Sequence, residues 1–151
     1  MRPVAEFRFS DSLPDQADYC ALFESTGWNE EYRLTPEELR RAICGSWFLT
    51  AVYDGENLAG TGRVISDGVF HALIVDVIVH PEYRHAGVGT AIMRRLLDRC
   101  RTDRIRDVQL FCAAGKAPFY EALGFRVRST DAPGMDYCPN TASTGEGNQR
   151  T

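Results

Sequence analysis

The sequence is poor in lysine and has no long apolar run. Of its 17 basic residues only Lys116 is a lysine, and 21 acidic residues leave a formal net charge of -4. Binding to nucleic acid depends on cationic side chains that neutralise phosphates, so this balance argues against a nucleic-acid partner. No stretch approaches the roughly 20 apolar residues of a membrane span, and no apolar signal core stands at the N-terminus. The sequence predicts a cytoplasmic protein without a membrane partner.

Paired cysteine motifs are also missing. The five cysteines are odd in number and widely spaced, and no two of them form a CxxC pair. This pattern predicts neither a zinc site nor a disulfide framework, and reduced thiols fit it better. We therefore expect no metal ion in this protein.

The length of 151 residues is enough for one domain with a substantial core. We expect a single domain over residues 1–138. From Pro139 onward the chain loses apolar periodicity, so residues 139–151 are predicted to form a disordered tail.

Alternation and capping signals predict a mixed set of strands and helices. A helix is expected from Leu13, with Pro14 in its first turn and Gly27 just past its end. Thr35 and Glu38 have the spacing of a capping box at the start of a second helix. Further strands are expected at AEFRFS, in a hairpin with its turn at DGEN, at residues 69–79, at DVQLFCA and at FRVRS. Amphipathic spacing predicts a helix after Val88, and APFYEAL is expected to form a short helix. This order predicts an α/β fold with a mixed sheet and helices packed on it.

The segment HPEYRHAGVGTAIM, between a predicted strand and a predicted helix, contains Arg84, Gly87 and Gly89. A P-loop needs a lysine directly after its last glycine, and Thr90 stands there instead. A dinucleotide fingerprint needs a third glycine where Ile92 stands. Two interpretations stay open. One is a tight turn with an exposed arginine, and the other is a helix N-terminus whose free amides bind a pyrophosphate, aided by the arginine.

Two longer motifs decide between these interpretations. VIVHPEYRHAGVGTAIMRRLL resembles the coenzyme A-binding motif of the GNAT superfamily, the acetyl-CoA-dependent N-acetyltransferases. VQLFCAAGKAPFYEALGFRVR is similar to the later strand and Phe-Tyr helix of the same family. The resemblance covers residues 5–137, and it extends to bacterial and plant small-amine enzymes, including a serotonin N-acetyltransferase-like group.

The resemblance implies a GNAT-like central sheet that is mainly antiparallel, with splayed parallel strands and flanking helices. It also implies that acetyl-CoA is the cosubstrate. The splayed strand would offer backbone amides to the pantetheine arm and to the thioester oxygen, and the glycine segment would hold the pyrophosphate. The residues so implied for acetyl-CoA are Val77, Ile78, Val79, Arg84, His85, Ala86, Gly87, Val88, Gly89, Thr90, Lys116, Phe119 and Tyr120. The asparagine that the family often has before the Phe-Tyr helix is absent from AAGKAPFY.

Tyr120 occupies the position of the family's general-acid tyrosine, which protonates or hydrogen-bonds the leaving thiolate. With ordinary pKa values of about 10 for tyrosine and 8.5 for a thiol, complete proton transfer would be uphill by about 2 kcal/mol. The alternative is a tyrosine that packs on the sheet. Cys112 is interpreted as a small buried residue and not as an acylated nucleophile.

Asp76 interrupts the apolar run ALIVDVIV, where an unpartnered carboxylate is costly. It could accept the proton of the amine, hold a cationic substrate, or bond backbone amides where the strand bulges. Some relatives in the family have a carboxylate one position earlier, where this chain has Val75. His71 is a second candidate for the base, provided that a bulge brings it to the same face.

The acceptor side is expected at the first two helices and their connection. Trp28 and Tyr32 stand beside two glutamates and would suit a cationic amine, whereas the alternative is an exposed loop with one buried aromatic. The acceptor site is thus predicted to comprise Trp28, Tyr32, His71 and Asp76. A small-molecule amine is favoured because the chain is acidic. A protein or peptide acceptor, a non-catalytic acyl-CoA sensor and a homodimer stay open alternatives.

Overall fold

The computed structural model describes residues 6–138. The predicted disordered tail, residues 139–151, lies outside the described residues. The chain divides into two compact units, Met1–Leu110 and Phe111–Thr151, which are treated separately below. No helix among the described residues is long and apolar enough to cross a membrane.

The first unit is built on a five-stranded sheet. Its strands follow one another in the order of the sequence, and each neighbouring pair is antiparallel except the last, which is parallel. The strands are β1 (Arg8–Ser10), β2 (Phe48–Asp54), β3 (Asn57–Ser66), β4 (His71–Val79) and β5 (Asp107–Leu110). The predicted mixed, mainly antiparallel sheet is therefore confirmed.

Four helices belong to this unit: α1 (Gln16–Glu24), α2 (Asn29–Tyr32), α3 (Pro36–Cys44) and α4 (Val88–Thr102). The capping box of α3 is present: the Thr35 side chain accepts from the Glu38 amide, and the Glu38 carboxylate accepts from the Thr35 amide. The prediction that Pro14 lies in the first turn of α1 is wrong. Asp15 caps that helix by accepting from the amides of Ala17 and Asp18, so the proline precedes the cap.

Helices cover both faces of the sheet. Residues of α1 and α3, among them Tyr19, Leu22 and Ile43, form one buried cluster with Leu49 and Ile78 of the sheet. On the opposite face α4 packs against two glycines of β3. A Cβ atom at Gly62 would stand 2.5 Å from Ile92 Cγ2, so the helix axis can approach the strand closely only because no side chain intervenes.

The ladder between β4 and β5 is short. It runs from the pair His71–Asp107 to the pair Ile74–Leu110, and β4 continues to Val79 without a further pair to β5. One edge of the second half of β4 therefore has no strand partner among the described residues. This is the splay that the sequence resemblance implied.

The second unit contains one helix in its described part, α5 (Ala117–Glu121). The predicted strand FRVRS is not formed, and no strand follows Leu110 within the described residues. Alternation permits a strand, but a strand also needs a partner for its backbone groups. Here the Phe125 amide donates to the Tyr120 carbonyl, which ties the segment to the end of α5.

Two further strand boundaries differ from the prediction. Val69 and Phe70 precede β4 because the Asp67 side chain accepts from their amides and holds them in a turn. The strand DVQLFCA ends at Leu110, three residues earlier than expected.

Replacement of Gly60 by alanine tests the close packing on β3. The added Cβ would lie 2.7 Å from the backbone oxygen of Ile78, which cannot move without displacing β4. We expect Gly60→Ala to lower the free energy of unfolding by about 1–3 kcal/mol in urea titration. The control is Gly45→Ala, where the Cβ would meet the Ala42 oxygen at 3.4 Å, and equal losses for both variants would contradict the packing argument.

Candidate active site

The second half of β4 contains a bulge. Thr61 pairs with Ile78 and Arg63 pairs with Val75, so Gly62 stands opposite two residues, Asp76 and Val77. Asp76 takes the left-handed conformation with φ of 50°. This conformation costs a residue with a Cβ atom about 1 kcal/mol or more, and aspartate is one of the few side chains that tolerate it. The bulge interrupts the alternation of side chains along the strand.

An ion pair fixes the bulge on the face covered by α1 and α3. Arg63 Nε donates to Asp76 Oδ2 at 2.7 Å, and both side chains are largely buried, 13% and 28% exposed. Arg63 Nη1 also donates to the Ala42 carbonyl at 3.2 Å and approaches Ser46 Oγ at 3.4 Å. One arginine thus connects the bulge, the last turn of α3 and the segment that leads into β2.

Two hydroxyl groups lie on this face. Tyr19 of α1 is 2% exposed, and burial, followed by the negative charge of Asp76, raises the pKa of its phenol. Thr61 is 1% exposed, and its hydroxyl has no hydrogen-bond partner among the described residues. The face beside the bulge therefore combines an ion pair with neutral hydroxyls in an otherwise apolar layer.

The glycine segment forms the start of α4, as predicted. Gly87 is the N-cap with φ of 79°, and no side chain caps the helix. Ala91 is the first residue of the helix whose amide bonds back, to the Gly87 oxygen at 3.0 Å. The amides of Val88, Gly89 and Thr90 therefore have no acceptor within the helix. Together with the helix dipole, such amides form an anion site.

Residues before the glycines fix the path into this helix. Pro81–Tyr83 form a 3-10 turn, and the Tyr83 hydroxyl donates to Asp54 Oδ2 at 3.2 Å, which links the turn to the β2–β3 hairpin. Arg84 and His85 are exposed, and His85 has a positive φ of 62°. The contact of Arg84 Nε with the Val79 oxygen is long at 3.5 Å, so this side chain can turn toward a phosphate.

The end of β4 lies next to the start of α4. A Cβ at Gly60 would contact both the Ile78 oxygen of β4 and the Val88 side chain of α4. The end of β4 is thus a neighbour of the first turn of α4, which contains the free amides of residues 88–90. The structure brings together the predicted residues Val77, Ile78, Val79, Gly87, Val88, Gly89 and Thr90.

Tyr120 lies in the second unit on α5. Its ring packs edge-on against Phe119 and Phe125, with centroid distances of 5.0 Å and 6.1 Å. Burial raises the pKa of Tyr120 above the ordinary value of tyrosine. The negative charge of the Cys112 thiolate raises it further, by a smaller amount. The phenol therefore keeps its proton at neutral pH and can donate a hydrogen bond. Lys116 caps α5 without a side-chain bond, and its side chain is exposed.

Cys112 differs from its prediction. It was expected to be buried, but it is exposed, and its thiol contacts the Ala113 carbonyl. The strand that would have buried it ends at Leu110.

The predicted acceptor residues are spread over the first unit. Trp28 precedes α2 and packs edge-on against Phe23 at 5.9 Å, whereas Tyr32 is 50% exposed. His71 begins β4, and its Nδ1 lies 3.1 Å from Asp107 Oδ2. Five residues of strand separate it from Asp76, about 16 Å at 3.3 Å per residue. Of these four residues, only Asp76 lies at the bulge.

Arg63, Tyr19 and Tyr83 were not singled out from the sequence. Arg63 stands on a strand thirteen residues before its partner, and a register shift decides the pairing. An arginine between apolar residues in GRVIS was the only available signal, because a buried cation needs an anion. Among the described residues, no group of three or more His, Cys, Asp or Glu side chains could hold a metal ion.

Comparison with known proteins agrees with this geometry. Residues 12–125 match the model of the Acetyltransferase (GNAT) family. The chain belongs to the GNAT acetyltransferase family and is an acetyl-CoA-dependent acyltransferase. The resemblance seen in the sequence is thereby confirmed.

Curated relatives differ in the acceptors that their names state. The chain is 30% identical to "Uncharacterized N-acetyltransferase ycf52" of Gracilaria tenuistipitata var. liui, over 81% of this chain and 68% of that protein. It is 28% identical to "Histone acetyltransferase TAP1" of Glycine max, over 83% of this chain and 58% of that protein. It is 31% identical to "Serotonin N-acetyltransferase 2, chloroplastic" of Oryza sativa subsp. japonica, over 70% and 54%. The chain thus spans little more than half of the latter two proteins.

Solved structures support the fold. The GNAT family acetyltransferase SP0256 of Streptococcus pneumoniae TIGR4 matches with a TM-score of 0.73 and 24% identity, over 89% of this chain and 98% of that chain. N-acetylglutamate synthase of Neisseria gonorrhoeae, solved with coenzyme A and N-acetyl-glutamate, matches with a TM-score of 0.66 and 16% identity, over 83% and 29%. At these identities the likeness concerns the fold alone.

Proposed function

We propose that this protein transfers an acetyl group from acetyl-CoA to the primary amine of a small molecule, by direct attack in a ternary complex. The observation that carries the proposal is the surface on which the unpaired edge of β4 meets the uncapped N-terminus of α4. An extended pantetheine arm needs an unpaired strand edge, and a pyrophosphate needs free amides. The unpaired half of β4 meets the first need, and the start of α4, which follows it on the chain, meets the second.

Acetyl-CoA fits the residues present in the first unit. The amides of Val88, Gly89 and Thr90 lack helical acceptors, and Gly87 adds no side chain that would block an approaching phosphate. Arg84 is exposed beside them and would add a charge-assisted bond. In the proposed assignment, Val77, Ile78 and Val79 offer backbone groups to the pantetheine arm, and one of their amides donates to the thioester oxygen.

The reaction needs no nucleophilic side chain. The nitrogen of the amine forms a bond to the thioester carbon, the carbonyl electrons move to oxygen, and collapse of this intermediate breaks the carbon–sulfur bond. Two protons must be handled: one leaves the nitrogen, and the sulfur receives one on release. A chain residue is proposed for each of these tasks.

Tyr120 is proposed to stabilise the departing thiolate. Its raised pKa makes complete proton transfer to sulfur more unfavourable than for an ordinary tyrosine, but it ensures a protonated donor. A hydrogen bond that strengthens as charge develops on sulfur serves the purpose without full transfer. The assignment rests on the Phe-Tyr motif and on the surroundings of the phenol within the second unit.

Asp76 is proposed to accept the proton of the amine, directly or through water. Its Oδ2 atom is bound to Arg63, and no hydrogen bond of its Oδ1 atom is found among the described residues. The carboxylate is 28% exposed on the face that α1 and α3 cover. Trp28 and Tyr32 follow α1 on the chain, so the acceptor is proposed to approach from this face.

A small-molecule acceptor is preferred to a protein acceptor. The net charge of -4 suits a cationic acceptor, and the exposed Tyr32 and the edge-packed Trp28 offer aromatic surface to a small amine. The names of the relatives include both a serotonin and a histone acetyltransferase, so a protein N-terminus or lysine is the second candidate. The experiment is a thiol-release assay with acetyl-CoA against polyamines, arylalkylamines, amino acids and peptides. We expect turnover with a small amine; turnover with peptides alone would favour the second candidate.

Replacement of Gly87 by glutamate tests the anion site. The new carboxylate would repel the pyrophosphate, and the residue would be strained at φ of 79°. We expect the affinity for acetyl-CoA, measured by calorimetry, to fall by about 100-fold, or roughly 2.8 kcal/mol. Gly27→Glu introduces the same charge and strain at φ of 76° outside the segment and should retain affinity. Unchanged affinity in Gly87→Glu would refute the assignment.

Tyr120→Phe removes only the hydroxyl. We expect kcat to fall by about 100-fold while the affinity for acetyl-CoA stays close to that of the unmodified protein. Because its pKa is raised, the phenol should lose its proton only above the ordinary tyrosine value of about 10, and kcat should decline there. The phenylalanine variant should lack this alkaline decline. An unaltered kcat would exclude Tyr120 as the acid.

A further inference from the structure

Arg63 contacts three separate segments around the bulge of β4. Its Nε bonds Asp76 at 2.7 Å, and its Nη1 bonds the Ala42 carbonyl at 3.2 Å and approaches Ser46 Oγ at 3.4 Å. Asp76 belongs to the bulge, Ala42 to the last turn of α3, and Ser46 to the segment that leads into β2. These elements are otherwise connected only through the sheet and the apolar layer.

The arginine is itself held firmly. Its side chain is 13% exposed, so most of its length is packed between the sheet and the helices. The planar guanidinium presents five donors in a fixed fork, which is what a group needs in order to serve several acceptors in different directions. The carbonyl of Ala42 lies at the negative end of the α3 dipole, where a cation is favoured.

Asp76 depends on this contact. Its backbone is left-handed, and its charged side chain is mostly buried. Both features are unfavourable unless a partner compensates for them, and among the described residues Arg63 is the cation bonded to Asp76. If the pair is broken, the bulge loses the contact that keeps this conformation.

We propose that Arg63 is a positioning residue that holds the bulge of β4 and thereby fixes both Asp76 and the neighbouring amides of Val77 and Ile78. The proposal rests on the acyl transfer proposed above, in which those groups face the amine and the thioester. It adds that Arg63 connects the end of α3, on the acceptor side, to the strand that is proposed to bind acetyl-CoA. Arg63 contacts neither substrate in this proposal.

The first test is kinetic and uses the small amine that gives turnover. Arg63→Gln should lower kcat by about tenfold to a hundredfold, because a small displacement of reacting groups has an effect of that order. The affinity for acetyl-CoA, measured by calorimetry, should fall by a smaller factor than kcat, since the N-terminus of α4 is untouched. Arg63→Lys keeps the charge beside Asp76 but loses the fork, so it should restore part of the rate.

A double variant shows whether Arg63 and Asp76 act as one unit. If Arg63 works through Asp76, Arg63→Gln combined with Asp76→Ala, which leaves no side-chain acceptor, should be no slower than Asp76→Ala alone. Independent contributions would multiply the two losses and overturn the proposal. A wild-type kcat in Arg63→Gln would overturn it as well.

Arg95 provides a matched control. It joins α4 to the sheet on the opposite face, bonding Asp11 at 2.8 Å and Thr50 at 3.1 Å. Arg95→Gln removes a similar set of bonds away from the bulge and should keep the wild-type kcat. If both glutamine variants lose kcat equally, Arg63 has no special role.

A second readout does not depend on activity. Hydrogen exchange of the β4 peptide, followed by mass spectrometry in the free protein, should be faster in Arg63→Gln and unchanged in Arg95→Gln. Unchanged exchange in Arg63→Gln would overturn the proposal. An inactive wild type with faster exchange in Arg63→Gln would refute the acyl transfer and leave the bulge contact established.

Discussion

The parting of β4 from β5 after the pair Ile74–Leu110 is the constraint on which the rest of the first unit depends. Backbone groups inside a protein must be paired, so an unpaired edge is costly unless solvent or a ligand satisfies it. The bulge and the glycine segment, the other features of the candidate site in the first unit, lie around this edge. The bulge at Asp76 follows it directly, and the uncapped start of α4 lies beside its end. In the proposed function, this half of β4 stays unpaired because the thioester substrate binds there.

The two faces of the sheet are packed in different ways. On the α4 face, glycines remove side chains so that the helix can lie close to the strands. On the α1 and α3 face, the layer is apolar except near the bulge, where an ion pair and two hydroxyls are buried together. Buried polar groups of this kind seldom add stability compared with apolar substitutes, so their presence at one place indicates a functional requirement. On this face the ion pair and the two hydroxyls lie near the bulge, on the side from which the amine is proposed to come.

Much of the fold could be predicted from the sequence, because its signals are local. The capping box at Thr35 and the amphipathic helix after Val88 each depend on residues within one or two helical turns. The glycine segment was predictable for the same reason. The prediction of a strand at FRVRS was wrong because backbone pairing with a neighbouring strand, not alternation of side chains, decides whether a strand forms. Arg63 was missed because its partner is set by the register between β3 and β4, and a single sequence does not report a register shift.

Helix α4 packs directly on the glycine backbone of β3, and this packing limits which parts of the protein can accept substitutions. Gly60 and Gly62 leave no room for side chains between helix and strand, so the half of the molecule that would hold acetyl-CoA cannot be reshaped by substitutions in β3. The opposite face has no such restriction, because α2 is short and contains no buried residue, and Tyr32 is half exposed. New acceptors would therefore be gained by remodelling the chain between α1 and α3, while the cosubstrate side stayed the same. A fold arranged in this way can keep one donor and exchange its acceptors.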